Sequence, residues 1–322
     1  TSMAKAQANP YEMVPGTWAE LPDGRKWGST SAVYYAGNGN VWAAERCGAN
    51  GNCMDTPDID PVVLIDPNGK ILKSFGKGMM VWPHGLHVDQ EGNVWVADGR
   101  GDEERGVGHQ VHKFSSDGEL LMSLGQAGKA GKGEYILQQP CDVLVAPNGD
   151  IFVADGHEKM GNNRIVKYNS EGKYIMEFGS TGAEFGEMYE PHGLAMDSQG
   201  RLFVADRHND RIQIFTQEGE FINSWRQFGR PSGVYIDKND ILYVGDSESN
   251  SGGVRNPGFD RGIRIGSAKT GWVTAFIPDT DKSTRYNVAE GVTADEDGNV
   301  FGAEVETGGL KKYIPRGTAP KR

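Results

Sequence analysis

The chain is poor in the residues that mark several common protein classes. Three cysteines in 322 residues, Cys47, Cys53 and Cys141, are too few for a disulfide-built scaffold. Lysine and arginine number 33 against 44 acids, a net charge of −11, which argues against a nucleic-acid partner. No apolar run approaches the roughly 18 residues of a membrane span, so no membrane partner is expected. No stretch keeps a 3.6-residue period long enough for a major helix. The start, Thr1-Ser2-Met3, carries no leader pattern and is compatible with a processed end. Histidine is scarce at seven, yet two of the seven sit in the same tetrapeptide, Pro-His-Gly-Leu, at 83–86 and 191–194.

That tetrapeptide belongs to a fifteen-residue phrase present six times. Its first, or key, residues are Ser31, His84, Cys141, His192, Ser232 and Glu290. Fourteen residues later each copy has an acid: Glu45, Asp98, Asp155, Asp206, Asp246 and Glu304. Eight residues after the key, five copies have glycine and the fifth copy has Asp240, which also tolerates a turn. Each phrase reads as two alternating apolar strands joined by a tight turn. A second hairpin follows in most copies, as in 164–168 with 174–178. Key residues 53, 57, 51, 40 and 58 apart fit a propeller of four-stranded blades. The predicted fold is all-β: a six-bladed propeller occupying 1–322 as a single domain. Its ring is closed by an N-terminal strand, with 16–21 as the candidate segment, because an open ring would leave edges unpaired. Residues 1–9 and 318–322 are expected to be flexible.

In a propeller the first strand of each blade lines the central channel, so the six key residues face one another. Ser31 and Ser232 are the small polar residues such a ring ordinarily holds. His84, His192 and Glu290 come from alternate blades, about 120° apart, and converge on one axial point. Two imidazoles and a carboxylate with one open side suit catalytic zinc, the first expectation; iron(II) and manganese are alternatives. Structural calcium is a further cation to consider. Cys141 lies between the two histidine blades, as a bystander thiol or a residue that touches substrate. His87, three residues beyond His84, is expected on the opposite sheet face, packed between blades. His109 and His112 read as surface histidines. Cys47 and Cys53 are close enough to bridge one loop, and equally readable as two thiols.

The loops after the repeat acids should rim one channel mouth. They carry Arg46, Arg100 and Arg207, whose guanidinium forks suit a carboxylate substrate. His157 and His208 occupy matching loops; either could transfer a proton near neutral pH, and His157 is the first choice.

The motifs Trp82-Pro83-His84-Gly85-Leu86, Glu190-Pro191-His192-Gly193-Leu194, Asp155-Gly156-His157 through Arg164-Ile165, and Ala205-Asp206-Arg207 through Arg211-Ile212 resemble NHL-repeat propellers. More narrowly, roughly 62–304 resembles the peptidyl-α-hydroxyglycine α-amidating lyases. The resemblance implies a six-bladed propeller whose zinc is held by three histidines of alternate blades, cleaving a carbinolamide into a peptide amide and glyoxylate. His84 and His192 match two of those ligands. The third falls at Glu290, the acid after it at Gly291, and the catalytic tyrosine at His157. The two substrate-facing arginines fall at Arg46 and Arg207.

These readings predict a metal-dependent lyase, or secondly a hydrolase, acting on a small carboxylated substrate. Catalytic roles go to His157, Arg46 and Arg207, and substrate contacts to Arg46, Arg100, Arg207, His208 and Cys141. A non-haem iron oxidative enzyme and a non-enzymatic NHL binding module are the alternatives. A monomer is expected. The compartment stays open, with a secreted or periplasmic one slightly favoured.

Overall fold

Each hairpin phrase becomes the inner half of a four-stranded antiparallel sheet, and six such sheets follow one another along the chain. The computed structural model describes residues 7–317, apart from 17, 158–160, 251–254, 282 and 285–288. Five blades use consecutive strands, covering 30–75, 83–124, 140–178, 191–225 and 234–278. The sixth combines three strands of 292–315 with a strand from the other end of the sequence. That closing strand is Tyr11–Met13, paired antiparallel with Leu310–Pro315 through Tyr11↔Pro315 and Met13↔Tyr313.

Closure by an N-terminal strand therefore holds, but the segment differs from the expected 16–21. Trp18 packs against Phe301 with ring centroids 5.0 Å apart, and Leu21 is buried in the seam between blades six and one. Trp18, Ala19 and Leu21 are apolar for that packing, not for ladder pairing. Residues 7–9, expected to be flexible, are tied to blade five: the Ala8 carbonyl accepts from Phe276 N–H at 3.1 Å. Residues 1–6 and 318–322 lie outside the described residues.

The apolar faces of the strands meet in six clusters, one at each seam. Phe152, Ile165, Leu202 and Val204 fill the seam of blades three and four. Val33, Val63, Phe301 and Ala303 fill that of blades one and six. A cluster in the last seam means the ring is closed by core packing as well as by the closing strand.

The repeat acid clamps the loop ahead of the key residue. Asp98 accepts from Val81 N–H and Trp82 N–H at 2.8 and 2.6 Å, Asp155 from Gln138 N–H at 2.7 Å, and Asp206 from Tyr189 N–H at 2.7 Å. A buried carboxylate satisfying otherwise orphaned amides explains why an acid recurs at this offset.

Candidate active site

The first strand of each of blades one to four has a register irregularity at its key residue, between Thr30/Ala32, Pro83/Gly85, Pro140/Asp142 and Pro191/Leu194. Such a bulge takes one residue out of the ladder and re-aims its side chain, here into the channel. It also shifts the alternation beyond it. His87 consequently lines the channel, with its ring 4.7 Å from Tyr34, instead of packing between blades as expected.

The glycine after the key residue closes the ring. A Cβ on Gly85 would lie 2.3 Å from the Cys141 carbonyl oxygen, and one on Gly193 2.6 Å from that of Ser232. These same carbonyls accept hydrogen bonds from the imidazoles: His84 Nδ1 donates to Cys141 O at 2.8 Å and His192 Nδ1 to Ser232 O at 3.1 Å. With Nδ1 donating to a carbonyl, each ring turns its Nε2 toward the axis, where the neutral form offers a lone pair. Both Nε2 atoms are buried; that of His84 has no hydrogen-bond partner, and that of His192 meets Glu290 alone.

Glu290 meets them. Its Oε1 is 3.0 Å from His192 Nε2 and 3.9 Å from His84 Nε2, so the three predicted ligands do converge. Glu290 is held from behind, Oε1 accepting from Arg207 Nη1 at 3.1 Å and Oε2 from Ser247 Oγ at 2.7 Å. Burial would raise this carboxyl, but His192 and Arg207 beside it outweigh that and hold it well below its usual range. Burial, with His192 and Arg46 nearby, keeps His84 well below normal, hence neutral. Lone-pair nitrogens facing a carboxylate oxygen at this range repel unless a cation or proton sits among them. The donor set thus fits a divalent metal ion, which the Nδ1–carbonyl bonds would serve as outer supports.

His157 joins this group: one ligand atom each from His84, His157, His192 and Glu290 lies within 4.8 Å of all the others. The arginines differ from one another. Arg46 is buried with its guanidinium 3.7 Å over the Trp82 ring, whereas Arg100 is exposed and lies 4.2 Å from that ring. Burial, with Arg100 and Arg207 adding to it, lowers Arg46 to about 9. Arg207 is committed to acids, Nη2 to Glu190 at 2.5 Å and Nη1 to Glu290. Glu190 also pairs with His208. Burial pushes the Glu190 carboxyl up, but Arg207 and His208 bring it down to about 2.

Cys141 is buried at its key position, and burial, with Glu190 nearby, pushes its thiol well above the usual range. Its carbonyl holds the His84 ring. Cys47 and Cys53 form a disulfide, in the loop where Arg46 Nη1 donates to Asn50 at 2.6 Å. His112, expected at the surface, is buried within the strand Val107–Phe114, its Nδ1 2.8 Å from Ser123 Oγ.

Sequence reading missed Trp82, Glu190 and Ser247. The Trp82 ring lies 5.0 Å from that of His84 and 4.9 Å from that of His157. Trp82 and Glu190 occupy the same repeat position, just before Pro-His, so aligning blades two and four one residue further back exposes both.

A profile of the NHL repeat matches residues 188–215, in the blade that carries His192. The peptidyl-glycine alpha-amidating monooxygenase B of Xenopus laevis is 34% identical over 273 residues, 79% of this chain but 29% of that protein. The chain is a six-bladed propeller that carries an NHL-repeat match and is similar in sequence to the amidating lyases. A probable peptidyl-alpha-hydroxyglycine alpha-amidating lyase of Caenorhabditis elegans is 36% identical over 160 residues, 48% of this chain and 43% of that one. The chain thus spans under a third of the Xenopus protein and under half of the nematode one. Among solved structures, a streptogramin B lyase superposes with a TM-score of 0.59 at 15% identity, over 94% of this chain and 97% of that one, a likeness of fold.

Proposed function

We propose that this NHL propeller is a metal-dependent lyase cleaving a small carboxylated carbinolamide, of the α-hydroxyglycine type, at the centre of its channel. The observation that carries the reading is the pair of buried Nε2 atoms converging on Glu290, with His157 in the same cluster, beside buried arginines. Relatives named as amidating lyases support the same chemistry.

His84, His192 and Glu290 would hold the ion, zinc by first choice. When bound, it would polarise a substrate oxygen and favour loss of its proton. Arg46, flattened on Trp82 and with its Nε unpartnered, offers its fork to the substrate carboxylate. Arg100 widens that positive mouth. Arg207 keeps Glu290 and Glu190 ionised and in place. In the cleavage, the substrate hydroxyl gives up its proton and its carbon becomes the carbonyl of glyoxylate. The C–N electron pair leaves with the amide nitrogen, which takes a proton. Of the two rim imidazoles, His157 and His208, His208 has a carboxylate, Glu190, oriented on its Nδ1, as a proton-transferring imidazole requires.

The test is glyoxylate release from an N-acyl-α-hydroxyglycine by protein loaded in turn with zinc, iron(II) and manganese. Equimolar glyoxylate and amide, lost on Arg46→Ala, are the expected result. Release no faster than the spontaneous breakdown with every metal would overturn the proposal.

A further inference from the structure

His157 lies on the rim loop after the second strand of blade three, outside the key positions from which ligands are expected. Its ring nevertheless stands 4.7 Å from that of His84 and 5.2 Å from that of His192, while those two are 4.6 Å apart. The three imidazoles form a near-equilateral set, and Glu290 offers an oxygen within 4.8 Å of each ligand atom. Trp82 stands edge-on to His157 at 4.9 Å, walling it against the centre.

His157 is poorly placed for free proton exchange. A general base needs a third group to orient it. The nearest acid is Glu190, whose Oε1 is 3.8 Å from His157 Nδ1, beyond hydrogen-bond range. That same oxygen is already bound by Arg207, and the other pairs with His208. With 16% of its side chain exposed, His157 has its ring mostly among other imidazoles. An imidazole packed against two lone-pair nitrogens and a carboxylate is accounted for by a shared cation.

We propose that His157 is the third imidazole ligand, so that the ion sits in a three-histidine, one-glutamate set drawn from blades two, three, four and six. This rests on the metal reading above and deepens it. Three nitrogens and one oxygen favour zinc or iron(II) over calcium and magnesium, which prefer all-oxygen sets. The ion then cross-links four of the six blades, and binding it must stabilise the folded ring by mass action.

Three measurements test it without an activity assay. The first is a crystal structure of the zinc-loaded protein with anomalous data at the zinc edge. The second is the zinc affinity of wild type against His157→Ala and His157→Gln. The third is the rise in unfolding temperature on adding zinc. Expected are a His157 nitrogen at about 2.0–2.1 Å from the ion and an affinity loss on the order of tenfold or more in both variants. The thermal increment should shrink in the variants. Zinc held by His84, His192 and Glu290 with His157 beyond bonding distance, or undiminished affinity in both variants, overturns the inference and leaves the metal reading standing. No zinc in the channel of the wild type removes both.

Discussion

Arg207 shows what a single side chain contributes at this centre. It is buried and stands between two buried carboxylates, Glu190 and Glu290. Removing it leaves both without their main cation, and breaking one side of such a buried pair costs about 3–5 kcal/mol. Arg207→Met should therefore destabilise the fold by that amount in urea unfolding, even though the methionine fills similar volume. A change under 1 kcal/mol would mean that other cations or water already satisfy the acids. Trp82 acts more gently. It presents its ring to Arg46 and Arg100, contacts that are each worth about 0.5–2 kcal/mol. Trp82→Leu should weaken binding of a carboxylated substrate roughly 2- to 30-fold, seen as a higher KM. An unchanged KM would dissociate the stacked arginines from substrate. At this scale the sequence was informative where the repeat was aligned: His84, His192 and Glu290 are equivalent positions, and their convergence follows from ring symmetry. Ser247 was hidden because one small polar side chain carries no signature of the neighbour it will meet.

At the scale of the element, the decisive device is the bulged first strand with its glycine. In blades two and four the bulge turns the histidine inward and the following glycine admits the next blade's carbonyl, which then fixes the imidazole. Gly193→Ala would set its Cβ 2.6 Å from Ser232 O, a backbone atom that cannot rotate away. The expected outcome is a loss of about 1–3 kcal/mol together with weaker zinc binding, since Ser232 O also holds His192. Wild-type zinc affinity in that variant, measured by competition with a chelating dye, would show that the carbonyl is not what positions the ring. Four-stranded blades were legible from period-2 alternation and turn spacing. The bulge was not, because an extra residue in a ladder leaves the local pattern apolar and alternating; the misplacement of His87 follows directly from it.

For the whole molecule, closure and buried imidazoles set stability. The ring is joined by Tyr11–Met13 on blade six and by a packed seam between blades six and one. Sequence indicated that an N-terminal strand must close the circle, since edges demand partners. It misassigned which strand, because a three-residue strand is too short to show a period. His87 and His112 are buried, and burial lowers each from 6.5 to about 4. Between pH 6.5 and 4 the unfolded chain binds the protons that the folded one refuses, so stability is full above pH 6.5 and falls as pH drops toward 4. Each group accounts for on the order of 3 kcal/mol across that window. His112→Asn, which can keep the bond to Ser123, should flatten the decline in urea midpoint from pH 7 to 4. An equally steep decline would place the acid sensitivity elsewhere.

Ring symmetry and bulged first strands bring one arrangement together, a His/Glu cluster at the axis with the donor set of a metal site. The most direct measurement is elemental analysis of protein equilibrated with zinc and then dialysed, for wild type, His84→Ala and His192→Ala. About one retained equivalent in wild type, lost in both variants, is expected for a catalytic-type zinc site. No retained zinc in wild type, or full retention in both variants, would contradict a metal centre built on these two histidines.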